Sequence, residues 1–210
     1  MNKLRTIMLL SCLVFTSNLF AETDDENFQK EFDSTALKAK NMTNKEILRE
    51  VGLIQDMNQT KSTMATSLKL APYVAELSKR DEAGDLEAKF ISTSLWKRTA
   101  CEMMVEQKMY STGDTCTDVV KNLKIIANTK TDKLYIAKSM VLLGDIYNEG
   151  KVTSRSNLLS AEWYFKGSKK YNELGNRDEA IKALEKSLQE NPNYEPARKY
   201  LKTLTLDKAP

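Results

Sequence analysis

The second half of the chain repeats one spacing of apolar and small residues, and this spacing restricts the fold more than any other feature. Ile136, Met140, Leu143 and Tyr147 follow one another at intervals of four, three and four residues. Residues three or four apart share one face of a helix, so such a set predicts an amphipathic helix. Three later sets have the same kind of spacing: Ala161, Tyr164, Ser168 and Tyr171; Ile181, Leu184 and Leu188; and Ala197, Leu201 and Leu204. Because a single helix pair cannot bury its own apolar face, we predict an all-α fold in which N-terminal helices pack onto a C-terminal solenoid of roughly four helices.

The first 21 residues have the three parts of a secretory signal peptide. Lys3 and Arg5 precede an apolar run from Ile7 to Phe15, and the small residue Ala21 ends the segment. The run is shorter than the roughly 20 apolar residues that a membrane-spanning helix needs. We therefore expect cleavage near Ala21 and a mature chain with no membrane span, located in the periplasm of a Gram-negative bacterium or secreted.

The charge balance and the lack of histidine argue against several classes of function. Removal of Lys3 and Arg5 with the leader reduces the 32 basic residues to 30, against 29 acidic residues. A surface this close to neutral argues against nucleic acid as the main ligand, because phosphate binding needs a clustered excess of cations. The chain has no histidine, which excludes Ser-His-Asp and Cys-His catalysis and imidazole metal sites. We therefore predict a protein that is not an enzyme, with no catalytic residues, no metal site and no cofactor.

The mature chain would retain two of the three cysteines, Cys101 and Cys116. An even number of cysteines in an exported chain predicts one disulfide, and two unpaired buried thiols are the alternative. Closing a loop of about 15 residues would stabilise the fold by roughly 3 kcal/mol. Bridged Cα atoms must lie within about 7 Å of each other, so the helix that carries Cys101 must end early, between Val105 and Met109.

Residues 22–42 contain many acidic and few apolar side chains, so little burial is available to offset the entropy cost of ordering. We predict a flexible acidic arm, and a docking peptide that folds on a basic partner is the alternative. Thr43 and Glu46 form a capping box, which predicts that a helix begins there. Residues 43–130 are predicted to form a helical N-terminal region with the disulfide, interrupted by a break or kink at Pro72.

Residues 131–210 are predicted to form the repeat region, with Asn176 and Glu179 capping one of its helices. The run from Gly175 to Pro192, which contains Gly-Asn-Arg-Asp-Glu-Ala-Ile and ends in Asn-Pro, resembles the second half of a tetratricopeptide repeat. The preceding segment has the pattern Leu-Gly-x-x-Tyr and then Ala-x-Trp-Tyr, and it is similar to a Sel-one-like repeat, a related unit with a longer loop between its helices. The resemblance covers about the last third of the chain. It implies packing roles for ten residues: Leu143, Gly144, Tyr147, Ala161, Tyr164, Ser168, Tyr171, Gly175, Ala180 and Pro192.

This resemblance also implies a protein–protein interaction module. In stacked helix pairs the first helix of each pair lines the concave side. In the implied register, the residues of helix 158–173 that face a partner are Glu162, Phe165, Lys169 and Asn172. Phe165 is the expected anchor for a bound peptide, and packing of Phe165 against a neighbouring helix is the alternative. Phe165 and Lys169 replace the Lys and Asn of the carboxylate clamp in chaperone-binding tetratricopeptide domains, so we do not expect binding of an acidic tail through that clamp.

The expected partner is another protein or peptide of the cell envelope. One role is an adaptor or assembly factor for a secretion, pilus or envelope complex, and the other is a regulator that binds the sensor domain of a receptor, as some Sel-one-like proteins do. Other Sel-one-like proteins bind or hydrolyse β-lactams, and Ser94-Leu95-Trp96-Lys97 matches the Ser-x-x-Lys of penicillin-recognising enzymes. Such a match is expected roughly once or twice by chance, and the companion Ser-Asp-Asn and Lys-Thr-Gly elements are missing. We therefore predict that Ser94 and Lys97 are solvated side chains on a helix face.

Overall fold

The computed structural model describes residues 25–57, 64–97, 101, 113–130 and 134–206. This part of the chain is all-α, and its helices pack mainly against their sequence neighbours. Nine helices lie within these ranges: α1 (Asp25–Lys40), α2 (Asn44–Met57), α3 (Met64–Glu82), α4 (Leu86–Trp96), α5 (Gly113–Ala127), α6 (Leu134–Glu149), α7 (Asn157–Glu173), α8 (Arg177–Glu190) and α9 (Glu195–Leu206). The predicted all-helical fold class is confirmed for the described residues.

Three hydrophobic clusters follow one another along the chain. The first joins α1 to α4, the second joins α5, α6 and α7, and the third joins α6 to α9. Phe90 of α4 packs against both the first and the second cluster. Because α6 likewise contributes to the second and third clusters, the apolar core continues from the N-terminal helices to the last one.

The start of the described chain differs from the prediction. Residues Asp25–Lys40 form helix α1 instead of a flexible acidic arm. Ala39 at its C-terminal end is fully buried in the first cluster, and Lys38 forms an ion pair with Glu50 of α2 at 3.2 Å. These contacts with other helices compensate for the few apolar residues within α1 itself.

The predicted capping box at the start of α2 is confirmed. The backbone N–H of Thr43 donates to Glu46 Oε2 at 2.6 Å, and the N–H of Glu46 donates to Thr43 Oγ1 at 3.2 Å. These bonds to Thr43 lower the pKa of the Glu46 carboxyl. Two amide donors that the helix start would leave unpaired are satisfied in this way.

Of the break or kink predicted at Pro72, the break is wrong, because α3 runs without interruption from Met64 to Glu82. A proline inside a helix removes one backbone hydrogen bond. On either side of Pro72, however, Leu70, Tyr73 and Leu77 are buried in the first cluster. We attribute the continuity of the helix to this burial, which favours the helical conformation on both sides of the proline.

The side chain of Arg80, near the end of α3, joins the ends of several helices. Its guanidinium donates to the backbone carbonyls of Ala39 at 3.1 Å and Met42 at 2.7 Å, and to Asn44 Oδ1 at 2.8 Å. Asn44 in turn donates to Asp85 Oδ2 at 2.8 Å, and the other oxygen of Asp85 caps the first turn of α4. The turn between α1 and α2 is thereby tied to the N-terminus of α4.

Helices α6 and α7 approach each other closely at two glycines. A Cβ atom on Gly144 would lie 2.6 Å from the ring of Tyr164, and one on Gly167 would lie 2.8 Å from Val141 Cγ2. The Ser160 hydroxyl adds a bond from α7 to α6 by donating to the Gly144 carbonyl at 2.9 Å. At both positions the neighbouring helix fills the space beside the backbone, so a side chain larger than glycine would force the two helices apart.

The predicted capping pair before α8 is wrong. Asn176 occupies the N-cap position, but its side chain makes no capping hydrogen bond. Its backbone angles, φ −86° and ψ 66°, differ from the extended conformation in which a cap side chain reaches the second and third amides. Helix α7, in contrast, is capped by Ser156, whose Oγ accepts from the N–H of Leu159.

Cys101 and Cys116 are both buried in the second cluster. The structure contains no disulfide between them. The predicted early end of the helix after Cys101 falls at residues 105–109, outside the described residues.

Among the helices that the structure describes, none is long and apolar enough to cross a membrane.

Candidate partner-binding groove

Helix α7 has one face that packs against α6 and α8. Eight of the ten residues to which the resemblance gives packing roles are buried, and four of them lie on α7. The other two, Gly175 and Pro192, are exposed. Gly175 lies in the turn after α7 with φ +76°, a conformation that favours glycine. This packing determines which of the other α7 residues lie away from α6 and α8.

A second set of α7 residues lies along another line on the helix surface, which we call the α7 stripe. It contains the four residues predicted to meet a partner, Glu162, Phe165, Lys169 and Asn172, at intervals of three, four and three. Leu158 lies one turn before Glu162 and extends the stripe, with 54% of its surface exposed. Sequence reasoning missed Leu158, although its interval of four from Glu162 continues the same spacing.

Phe165 joins the α7 stripe to α9 through an aromatic cluster. Its ring centroid lies 5.7 Å from that of Tyr194 and 6.0 Å from that of Tyr200, both in edge-to-face geometry. Such pairs contribute about 0.5–1.5 kcal/mol beyond the area they bury. Phe165 is therefore partly buried against a neighbouring helix, the alternative role considered for it. Together with Tyr194 and Tyr200, the α7 stripe lines a surface that we call the α7–α9 groove.

The polar residues of the α7 stripe have few partners within the protein. The Lys169 ammonium lies 6.0 Å from the Phe165 ring centroid. Glu162 is close enough to Tyr194 to raise the pKa of its hydroxyl, although burial is the larger cause. Among the described residues, neither Lys169 nor Glu162 forms an ion pair, and the Asn172 side chain forms no hydrogen bond.

Other polar side chains of the same helix are engaged. The Tyr164 hydroxyl donates to Asp145 Oδ1 at 2.7 Å, and Lys170 pairs with Glu173 at 3.1 Å. The Lys166 ammonium lies 4.4 Å from the Trp163 ring centroid. The α7 stripe thus presents an acidic, a basic and an amide group beside an aromatic surface, a combination that can bind the backbone and side chains of a peptide.

The Ser-x-x-Lys motif lies on α4, away from the α7 stripe. Ser94 Oγ donates to the Phe90 carbonyl one turn earlier at 2.8 Å, a common bond for serine in a helix. Lys97 is buried and pairs with Glu149 Oε2 at 3.0 Å. The prediction that Lys97 is solvated is therefore wrong, because its ammonium reaches a carboxylate on α6. A serine nucleophile needs a base that accepts its proton, whereas the Ser94 proton is directed to a backbone carbonyl.

Within the described ranges, no group of three or more histidine, cysteine, aspartate or glutamate side chains is arranged to hold a metal ion. Comparison of the chain with models of known protein families, with curated protein sequences and with solved structures finds no match.

Proposed function

We propose that the protein is an exported protein–protein interaction module, in which α6 to α9 form a short tetratricopeptide-like or Sel-one-like solenoid and the α7–α9 groove binds a protein or peptide of the cell envelope. The observation that carries this proposal is the contrast between the two lines of residues on α7. The packed line is buried and hydrogen-bonded to neighbouring helices, whereas the α7 stripe combines an exposed leucine with polar groups that form no ion pair or side-chain hydrogen bond among the described residues. Its role would be that of an adaptor or assembly factor.

The solenoid part of the proposal is supported by the way in which successive helices are joined. The Ser160 hydroxyl of α7 donates to the Gly144 carbonyl of α6, and the Ser187 hydroxyl of α8 donates to the Ala161 carbonyl of α7 at 2.8 Å. Both serines are fully buried. The same bond between consecutive helices is thus used twice, as expected for stacked repeats.

Site-specific photo-crosslinking in the producing cell tests the groove. A photoreactive amino acid at Leu158 or Lys169 should give a cross-link to one envelope protein, and the same probe at Glu185, exposed on α8, should not. Adding Lys169→Glu to the Leu158 probe protein should remove the cross-link. Cross-links that map only to residues 22–130, or that are equally strong from Glu185, would refute the groove. A receptor sensor domain as the captured protein would favour the regulator over the adaptor.

Export is tested separately by cell fractionation and mass spectrometry. The protein should be released with the periplasmic fraction or found in the medium, with a mature N-terminus near Glu22. A chain that keeps Met1 and stays in the cytosolic fraction would contradict the proposed location without affecting the groove.

We also propose that Cys101 and Cys116 pair after export. Both cysteines belong to one hydrophobic cluster, and export would bring them into a compartment in which disulfides form and persist. Mass spectrometry of the non-reduced protein from the oxidising compartment should detect the cross-linked peptides, and two alkylatable thiols in that sample would refute the disulfide.

A further inference from the structure

A second concave site lies between α4, α6 and the C-terminal part of α7, and it does not depend on the proposed function. It is an open cleft with a volume of about 360 Å³. Ligand sites generally span roughly 300–1,000 Å³, so this cleft has room for a small molecule only. None of its lining residues belongs to the α7–α9 groove.

The Lys138 ammonium is a positive charge of the cleft that no carboxylate of the described residues balances. Lys97 is paired with Glu149, and Asp145 accepts from Lys186 Nζ at 2.9 Å as well as from the Tyr164 hydroxyl. Lys138 differs from these two groups. Its ammonium lies 5.5 Å from the ring centroid of Tyr135 and forms no ion pair within the described part of the chain. The charge balance of the cleft therefore favours a ligand with one negative charge.

The Tyr171 hydroxyl is a second hydrogen-bond donor of the cleft that has no acceptor among the described residues. The Tyr171 side chain is 7% exposed, and its hydroxyl forms no hydrogen bond with any described residue. Burial, then Glu179 and Asp145, raises the pKa of Tyr171, so the hydroxyl keeps its proton at neutral pH. Because the hydroxyl is not among the fully enclosed polar atoms that lack a partner, it is accessible to solvent, and a ligand oxygen would take the place of water at this donor.

Apart from Ser94, whose hydroxyl donates to the Phe90 carbonyl, the remaining walls of the cleft are apolar. Phe90, Val141 and Leu142 line it and are each partly buried. A free phosphate would leave these walls uncovered and would bring more negative charge than Lys138 alone balances. A carboxylate on an apolar body matches both the two unused donors and the apolar walls.

We propose that the cleft binds a small monocarboxylic acid with an apolar body. The carboxylate accepts from Lys138 Nζ and from the Tyr171 hydroxyl, and the body packs against Phe90, Val141 and Leu142. The free acid is preferred over the C-terminus of a peptide because of the small volume of the cleft.

Calorimetric titration of the full mature protein with phenylpropionate, and with phenylpropanamide as its neutral counterpart, tests the proposal. The acid should bind at least about tenfold more tightly than the amide, because a hydrogen bond to a charged group is the stronger kind. Lys138→Met, which keeps the side-chain stem, should abolish that preference. Tyr171→Phe, which keeps the buried ring, should weaken binding of the acid by about threefold to tenfold.

Lys124→Met is the matched control, since the Lys124 ammonium lies 5.8 Å from the Tyr147 ring centroid in a similar contact outside the cleft. It should leave the affinity unchanged, and thermal melts should show that all three variants are folded. The proposal is overturned if the acid does not bind at millimolar concentration, if the amide binds as well, or if Lys124→Met weakens binding as much as Lys138→Met. Tighter binding of a short peptide with a C-terminal phenylalanine than of phenylpropionate would instead assign the cleft to a peptide C-terminus.

Discussion

Arg80 in the N-terminal helices and Gly144 in the C-terminal helices both lie where separate helices meet, but they hold those helices together differently. Around Arg80, one long charged side chain reaches backbone carbonyls at the end of α1 and in the turn that follows. At Gly144, the lack of a side chain lets the ring of Tyr164 pack directly on the backbone of α6. A long charged side chain can form hydrogen bonds across the gap between two helix ends. Close contact between helix backbones, in contrast, requires two helices that run side by side over several turns.

This difference decides which substitutions each region should tolerate. The C-terminal helices should be sensitive to added volume and to buried charge. The N-terminal helices should be sensitive to the loss of a hydrogen-bond donor. Matched substitutions in the two regions should therefore change the unfolding free energy by different amounts.

The largest effect is expected for Ala180→Glu. Ala180 is fully buried in the third cluster, and an unpaired carboxylate there should cost more than about 4 kcal/mol of unfolding free energy. The same change at Ala83, which is exposed after α3, should shift the unfolding free energy by less than about 0.5 kcal/mol. Urea denaturation followed by circular dichroism measures both values, and equal midpoints would contradict the buried position of Ala180.

Arg80→Met should have the next largest effect. Methionine keeps much of the stem but removes the donor to the Met42 carbonyl, to Asn44 Oδ1 and to the Glu76 carboxylate, at a cost of about 2–4 kcal/mol. Lys79→Met, at the exposed neighbouring position, is the control and should change the unfolding free energy by less than about 0.5 kcal/mol. If the two variants unfold at the same urea concentration, the bonds of Arg80 contribute nothing to stability.

Replacing glycine by alanine should have opposite signs in the two regions. At Gly144 the new Cβ would lie 2.6 Å from the Tyr164 ring, and such overpacking costs about 1–3 kcal/mol. At Gly52, inside α2, nothing lies within 4 Å of the new atom, so alanine should stabilise the helix by about 0.5–1 kcal/mol. Stabilisation by both changes would mean that α6 and α7 are not in close contact in solution.

The same contrast explains how much of the fold the sequence could predict. The intervals of three and four residues predicted amphipathic helices in α6 to α9, because local periodicity directly reflects which side of a helix is buried. The capping box of α2 could likewise be predicted from the sequence, since its two residues are only three positions apart. Helix α1 was missed because Arg80 and Glu50, which hold its C-terminal end, lie on other helices.

The candidate sites were predictable only where one helix supplies the residues. The α7 stripe follows from spacing along α7, but its contact with Tyr194 and Tyr200 depends on where α9 packs. The cleft combines Lys138 of α6 with Tyr171 of α7, and neither residue has a local pattern that points to the other. Such pairings depend on the close approach at Gly144 and Gly167, which the sequence alone did not reveal.

The smallest effect is a dependence of stability on alkaline pH, and it belongs mainly to the C-terminal helices. Burial raises the pKa of Tyr164, and its hydrogen bond to Asp145 and the charge of Asp145 raise it further. In the unfolded chain a tyrosine loses its proton near pH 10. Above that pH the folded state therefore binds one more proton than the unfolded state. The contribution of Tyr164 is fully present below pH 10 and is lost at higher pH, at about 1.4 kcal/mol per pH unit.

Tyr164→Phe isolates this contribution, because it keeps the ring against Gly144 and removes only the titrating hydroxyl. At pH 7 the variant should lose about 0.5–1.5 kcal/mol, the usual value of one hydrogen bond. Between pH 10 and the folded-state pKa, its unfolding free energy should fall less steeply than that of the wild type. At about 1.4 kcal/mol per pH unit, the two curves should meet within about one pH unit and then cross. Urea denaturation at a series of pH values measures the difference. Parallel curves would mean that the Tyr164 hydroxyl titrates normally in the folded protein, and that α6 and α7 do not enclose it as the contact at Gly144 requires.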